Sequence, residues 1–154
     1  MKKTLLAVAL LSAMVAGAKT STPAGWTDDY DAALKKAAAE RKLVVADISG
    51  SDWCGWCKRL DREVFNTETF RKDATNRFVL LMIDTPMDKS LLNAKAKTQN
   101  PALVKKYAIR GFPTVLMLDQ DGKVVHQAGY QAGGPVPYLE MLNAAAEKAT
   151  AKRP

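Results

Sequence analysis

The stretch SDWCGWCKRL, residues 51–60, contains both cysteines of the 154-residue chain, Cys54 and Cys57. The two thiols are three positions apart, and each follows a tryptophan. Three interpretations of such a pair are open: a disulfide that stabilises the fold, two ligands of a metal site, or a disulfide that opens and closes during a reaction. The rest of the chain helps to choose among them.

A stabilising disulfide and a metal site both fit poorly. A bond between the two thiols closes a loop of only four residues, for which the chain-entropy estimate gives roughly 2 kcal/mol. A zinc site needs about four ligands, whereas the chain offers two thiols and one imidazole, His126. We therefore expect no metal held by a single chain and interpret His126 as a solvated strand residue. Metal shared between chains stays open as an alternative.

The first eighteen residues have the form of a secretory signal peptide. Lys2 and Lys3 are followed by an apolar run over residues 5–18, and Ala16-Gly17-Ala18 has the small residues that signal peptidases recognise. The run has about fourteen residues, fewer than the ~20 that span a membrane. We expect removal of residues 1–18, no stable membrane insertion afterwards, and a bacterial periplasmic or secreted protein. An uncleaved N-terminal anchor is the alternative.

The remaining segment, residues 19–154, has the size of one domain and can bury a core without covalent support. Without the two lysines of the signal it has 21 basic and 16 acidic residues, a net charge of +5. These charges are scattered, as on solvated helix faces. An exported chain that lacks an aromatic and basic recognition motif is not expected to bind nucleic acid. We expect a monomer.

Apolar runs rich in β-branched residues predict four buried strands. They lie at residues 43–49, 78–84, 114–119 and, after the turn signal Asp121-Gly122, at 123–129. Helical patterns lie at residues 27–41 and 54–66, from Thr67, from Asn100-Pro101, and at 138–149. The order predicts an α/β fold.

In this fold a parallel βαβ unit is joined through a helix to a β-hairpin. The result is a central four-stranded mixed sheet with helices on both faces and an extra N-terminal helix. Cys54 then follows the first strand and starts its helix. This is the carboxyl edge of the sheet, where open α/β folds place their reactive groups.

A CxxC pair at a helix N-terminus suits redox chemistry. The free N–H groups and the positive end of the helix dipole stabilise a thiolate, which brings the pKa of the first cysteine from ~8.5 into the ~3.5–7.5 range. This predicts Cys54 as the nucleophile. Cys57 is more shielded and would attack the mixed disulfide to release the reduced product. We expect no cofactor other than this redox-active disulfide.

Two motifs resemble those of the thioredoxin family, over roughly residues 27–148. WCGWCK at 53–58 is similar to the family's WCGPCK, and YAIRGFPTVLMLDQDGKVV at 107–125 resembles the segment that contains its cis-proline and hairpin. VADISGSDWCGWCKRLDREVF at 45–65 resembles bacterial exported thioredoxin-like proteins, and residues 85–99 are an insertion relative to plain thioredoxin. The resemblance implies one thioredoxin-like domain over residues 19–154.

The resemblance also implies a substrate-binding surface. It implies a cis peptide bond between Phe112 and Pro113, with the backbone of Phe112 pairing with an extended substrate segment. Exposed aromatic rings around the thiols would contact unfolded chains. The expected substrate-binding residues are Trp53, Gly55, Trp56, Phe112 and Pro113. A core position for Trp53 is the alternative.

Asp47 is the expected proton acceptor for Cys57. It lies in a predicted central strand, where burial makes an unpaired carboxylate costly and keeps it protonated. Such an acid can take the proton of Cys57 as that thiol attacks. The alternative is a salt-bridged or solvated Asp47. Leu80 stands where thioredoxin has a lysine near its buried acid, so the surrounding charges differ from the family's.

The resulting hypothesis is a thiol-disulfide oxidoreductase that acts on protein thiols and disulfides with an unidentified redox partner protein. Trp56 supplies no cation for the thiolate, which argues against a strong oxidant. We expect a reduction potential of roughly −270 to −180 mV, in the range of reductases and interchange enzymes. Two alternatives from other classes are a non-enzymatic binding or chaperone module and a dithiol metal-binding protein.

Overall fold

A five-stranded mixed sheet lies between two layers of helices in the computed structural model, which describes residues 22–151. The expected signal peptide lies outside the described residues. The strands are β1 (Trp26–Thr27), β2 (Leu43–Ser49), β3 (Phe78–Asp84), β4 (Thr114–Leu118) and β5 (Val124–Ala128). Their order is β1-β3-β2-β4-β5. Strands β1, β3 and β2 are parallel, whereas β4 is antiparallel to both β2 and β5.

The helices cover both faces of this sheet. They are α1 (Tyr30–Glu40), α2 (Gly55–Leu60) with a π-helical continuation (Asp61–Phe65), α3 (Glu68–Arg77), α4 (Ala94–Lys106) and α5 (Pro135–Ala151). Helices α1 and α4 pack on one face, and α2, α3 and α5 pack on the other. Because both faces are covered, every residue of β2 is buried. No helix within residues 22–151 is long and apolar enough to cross a membrane.

The α/β fold is confirmed, but the prediction of four strands was wrong, because the sheet has an additional strand, β1, at one edge. Strand β1 has only two residues and pairs in parallel with β3, with Trp26 opposite Leu80. The ring of Trp26 packs 5.1 Å from that of Phe65, between ring centroids. A two-residue strand has no periodicity that a sequence could show, and here tertiary packing of one tryptophan holds it on the sheet.

The helix start predicted at Asn100-Pro101 was also wrong. Helix α4 begins at Ala94, and Asn93 is its N-cap, with its side chain accepting from the Ala96 N–H at 2.8 Å. Asn100 lies inside the helix, almost fully buried, and its Nδ2 donates to the Asp84 carbonyl at 2.7 Å. This hydrogen bond gives the buried Asn100 side chain a partner at the end of β3 and connects α4 to that strand.

Two other helix boundaries also differ from the predicted ones. Helix α1 begins at Tyr30 and not at residue 27, and Asp29 caps it by accepting from the Ala32 N–H at 3.0 Å. Helix α5 begins at Pro135, before the predicted start at residue 138. The Cys54–Asn66 helix is confirmed as α2 and its π-helical continuation, and Thr67 caps α3 as predicted.

Candidate active site

Cys54 and Cys57 form a disulfide at the start of α2, with their Cα atoms 5.2 Å apart. Cys54 is the N-cap of the helix, and its Sγ accepts a hydrogen bond from the Cys57 N–H at 3.1 Å. The sulfur therefore faces N–H groups that the helix leaves without backbone partners, and these stabilise negative charge on it. Both cysteines are nearly buried, with Cys54 6% exposed.

The loop that leads from β2 to Cys54 turns tightly around Gly50. The Gly50 carbonyl accepts from the Cys54 N–H at 2.8 Å. A Cβ at Gly50 would lie 2.3 Å from the indole ring of Trp53, so any other residue would displace that ring. The local sequence thus fixes the approach of the chain to the thiols.

Trp53 lies beside the disulfide and not in the core, so the alternative interpretation of this residue was wrong. Its side chain is 41% exposed, and its Nε1 donates to the Thr85 carbonyl at 2.9 Å. The ring packs edge-on against Phe112 at 5.2 Å between centroids. The Phe112–Pro113 peptide bond is cis, and Thr114, the next residue, pairs with Ile48 of β2.

Trp56, between the cysteines, is 55% exposed and belongs to a second aromatic cluster. Its ring lies 5.1 Å from that of Tyr130, and the guanidinium of Arg59 lies over both rings. Glu63 accepts from Arg59 Nε at 2.8 Å and from the Tyr130 hydroxyl at 2.6 Å. Gly55 leaves open space next to this cluster. Sequence spacing indicates the Arg59–Glu63 pair, but nothing in the sequence indicates Tyr130.

Asp47 lies in the centre of the sheet, 3% exposed, between Met82 of β3 and Val115 of β4. Within residues 22–151, no group forms a hydrogen bond with its Oδ1. The pKa of Asp47 is raised to about 8. Burial is the main cause, and the nearby carboxyls of Asp61 and Asp84 contribute to the same rise. The alternative of a solvated Asp47 was therefore wrong.

A cavity of about 130 Å³ joins Asp47 to Cys57. Its lining residues are Pro23, Asp47, Ser49, Ser51, Cys57, Lys58, Asp61, Met82 and Asp84. The volume suffices for a few water molecules, each of which takes ~30 Å³ in the liquid. The Cys57 side chain and the Asp47 carboxyl therefore line the same cavity.

Sequence reasoning missed two of the three carboxyls at this cavity. Asp61 starts the π-helical continuation, and burial raises its pKa while the charge of Arg71 opposes that rise. Asp84 ends β3, and its carboxylate accepts from the N–H and the hydroxyl of Ser51 at 2.9 and 2.6 Å. The available signals were the four-residue spacing from Cys57 to Asp61, one helical turn, and the position of Asp84 at a strand's carboxyl end.

The side chains that could ligate a metal are spread over the described part of the chain. Within residues 22–151, no three His, Cys, Asp or Glu side chains are grouped so that they can hold a metal ion. His126 lies on β5, far along the chain from the thiols, and its Nε2 lies 3.2 Å from the sulfur of Met141.

Known proteins resemble this chain over most of its length. A family model described as a thioredoxin-like domain matches residues 30–145. A disulfide bond reductase of Chlamydia pneumoniae, DsbH, is 25% identical over 118 residues, which cover 77% of this chain and 70% of that protein. The thioredoxin-related protein DsbJ of the same organism is 26% identical over 125 residues, 81% of this chain but only 36% of that relative's length.

A solved structure described as a DsbH oxidoreductase superposes with a TM-score of 0.74 at 22% identity, covering 96% of this chain and 95% of the other. At that identity the superposition establishes the fold, which is the thioredoxin fold expected from the two motifs.

We expect Asp47→Asn to stabilise the oxidised protein, and to do so more at pH 8 than at pH 5. The folded chain keeps the Asp47 proton up to a pKa of about 8, whereas the unfolded chain loses it near ~3.9. The stability of the wild type therefore falls as the pH rises from about 4 to about 8. The variant lacks this fall. Its gain over the wild type in the free energy of unfolding should therefore be larger at pH 8 than at pH 5, by up to about 4 kcal/mol.

Urea unfolding at the two pH values measures the effect. Exposed Asp121 provides the matched control, since Asp121→Asn is expected to show no gain that depends on pH. An equal gain for Asp47→Asn at both pH values would contradict the raised pKa.

Proposed function

This chain belongs to the thioredoxin-like domain family, and we propose that it is a periplasmic or secreted thiol-disulfide oxidoreductase that reduces or rearranges the disulfides of protein substrates. The observation that carries the proposal is the disulfide at the N-terminus of α2 with the buried Asp47 on the same cavity as Cys57. The signal-like residues 1–18 support an exported location. The name of the relative DsbH, a disulfide bond reductase, supports the direction.

In the first step the reduced enzyme attacks a substrate disulfide. The Cys54 thiolate, stabilised by the N–H groups of α2, forms a bond with one substrate sulfur. The substrate S–S bond breaks, and its other sulfur leaves with the electron pair and takes up a proton from water. The product is a mixed disulfide between Cys54 and the substrate.

In the second step Cys57 resolves this mixed disulfide. In the fraction of molecules in which Asp47 is ionised, its carboxylate accepts the Cys57 proton through the shared cavity, and the Cys57 sulfur attacks Cys54 Sγ. The bond between Cys54 and the substrate breaks, and the second substrate thiol is released. A reduced dithiol protein must then donate two electrons to return Cys54 and Cys57 to thiols. A pKa of about 8 suits Asp47 to this exchange near neutral pH.

The charges around the cavity favour reduction over strong oxidation. A strongly oxidising pair needs a stabilised thiolate in its reduced form. Here Asp61 and Asp84 line the cavity that Cys57 faces beside Asp47, which burial keeps protonated, and these acidic groups disfavour a further anion. Trp56, between the cysteines, adds no cation. The reduced pair is therefore a good electron donor.

We expect a reduction potential between roughly −270 and −180 mV. Equilibration of the protein in glutathione redox buffers, followed by mass-spectrometric counting of free thiols, measures it. A value near −120 mV, as strong oxidants have, would overturn the proposed direction of electron flow.

Cys57→Ser is expected to trap mixed disulfides with protein substrates through Cys54, because the resolving thiol is missing. Cys54→Ser is the matched control and is expected to trap few, because Cys57 lies within α2, lines the internal cavity and lacks the N-cap position that stabilises a thiolate on Cys54. Non-reducing gel electrophoresis after incubation with an oxidised protein substrate counts the adducts. If both variants trap substrate equally, Cys54 is not the nucleophile.

Asp47→Asn is expected to slow the release of reduced product at pH 7 by about 100-fold, the low end of the usual range for loss of a general base. The defect should shrink above about pH 9, where thiols such as Cys57 ionise without a general base. Single-turnover reduction of insulin from pH 6 to 10 gives the profile. A rate that matches the wild type at pH 7 would exclude Asp47 as the proton acceptor.

A further inference from the structure

The residues that follow β3 are hydrogen-bonded to the loop between β2 and Cys54, residues 50–54, which we call the disulfide loop. We call residues 85–88 the Met87 loop. Both carboxylate oxygens of Asp52 accept backbone N–H groups of this loop, from Met87 and from Asp88, each at 2.9 Å. The Thr85 carbonyl accepts from Trp53 Nε1. The stretch that the sequence marks as an insertion therefore begins inside the candidate active site.

Two further contacts connect Asp52 to α2 and the Met87 loop to β2. Lys58, the residue after Cys57, donates from Nζ to the Asp52 carbonyl at 2.9 Å. The Thr85 N–H and hydroxyl both donate to the Ser49 carbonyl, at 2.8 and 2.7 Å. The base of the Met87 loop is thus fixed on β2, whereas its tip depends on Asp52. The N–H of Asp88 holds the pKa of Asp52 below its ordinary value, so the carboxylate is charged at neutral pH.

The side chain of Met87 is 77% exposed, although its backbone is held in place. Within residues 22–151, six large apolar side chains are exposed: Trp53, Trp56, Met87, Val124, Val125 and Val136. Half of them lie in the disulfide loop, in the first turn of α2, or in the loop bonded to them. Such a concentration of exposed apolar side chains marks a surface that contacts another molecule.

The burial of the disulfide brings a substrate chain onto the residues that surround Cys54. Cys54 is only 6% exposed, and the reaction joins its sulfur covalently to a substrate sulfur. A substrate chain must therefore lie directly on the residues around Cys54. The flexible, unbranched Met side chain adapts to apolar partners of different shapes, which suits an enzyme with many substrate sequences.

We propose that the Met87 loop forms one wall of the substrate site and that Met87 contacts a bulky apolar side chain next to the reacting cysteine of a protein substrate. Asp52 is the positioning residue that holds the tip of the loop in place. The occupant is an extended, loosely folded polypeptide segment that carries the disulfide. This inference rests on the proposed function and adds a preference for apolar residues beside the substrate cysteine.

Two synthetic peptides test the preference. Each contains one intramolecular disulfide, flanked by leucines in one peptide and by serines in the other, and dithiothreitol regenerates the reduced enzyme. Met87→Ser is expected to raise KM for the leucine peptide about fivefold, the order expected when one apolar contact is lost, with kcat unchanged. KM for the serine peptide should stay as in the wild type. Val136→Ser removes an exposed apolar side chain from α5 and is expected to change neither value.

A double-mutant cycle tests the positioning role of Asp52. Asp52→Ala is expected to raise KM for the leucine peptide as much as Met87→Ser does, and the double variant should be no worse than either alone, since both act through one contact. Asp52→Asn keeps one carbonyl acceptor for the loop and should fall between Asp52→Ala and the wild type. A merely structural role would lower kcat for both peptides.

The outcomes separate the two proposals. A wild-type protein that reduces neither peptide contradicts the proposed function. A wild-type protein that reduces both equally well, or a Met87→Ser variant with unchanged KM, overturns the role of Met87 while the proposed function stands. Additive effects of Asp52→Ala and Met87→Ser would overturn the positioning role.

Discussion

Strand β2 is buried along its whole length because helices cover both faces of the sheet, and this burial sets the chemistry of the site. It places Asp47 where an isolated carboxylate is poorly solvated, so the acid keeps its proton to about pH 8. The same strand ends at Ser49, directly before the loop that leads to Cys54. One buried strand thus holds the acid beneath the thiols and delivers the thiols to the carboxyl edge of the sheet.

Opposite electrostatic environments surround the two sulfurs. Cys54 is an N-cap, and the N–H groups of α2 favour its thiolate. Cys57 faces a cavity lined by three carboxyls, and acidic groups at this cavity disfavour a thiolate on Cys57. This contrast is the physical basis for the different roles that we propose for two identical side chains three residues apart. This arrangement lowers the stability of the fold, because a buried acid without a partner costs free energy at neutral pH.

Aromatic and apolar side chains from distant parts of the chain surround the disulfide at the surface. Trp53 packs on Phe112 and is hydrogen-bonded to the Met87 loop, whereas Trp56 packs on Tyr130 and lies under Arg59. The disulfide loop, the cis-proline turn and the insertion therefore meet at one surface. Each of the two exposed tryptophans has a fixed orientation because a second element of the fold contacts it.

The sequence by itself determined the features that depend on local preference. The β-branched runs of β2 and β3 fixed both ends of those strands, because such runs are compatible with little else than a buried strand. The CxxC spacing likewise determined that Cys54 and Cys57 share the first turn of a helix. Burial of Asp47 was predictable because it interrupts an apolar run in a central strand.

Only the tertiary structure decided the features that depend on residues far apart in the chain. Asn100 lies inside α4 because it bonds to the end of β3, against the local preference of Asn-Pro to start a helix. Strand β1 exists because Trp26 packs against Phe65. Tyr130, Asp84 and Met87 join the site through contacts with Trp56, Ser51 and Asp52. Periodicity and spacing describe a residue's near neighbours, whereas these contacts form only when the whole sheet and its helices pack together.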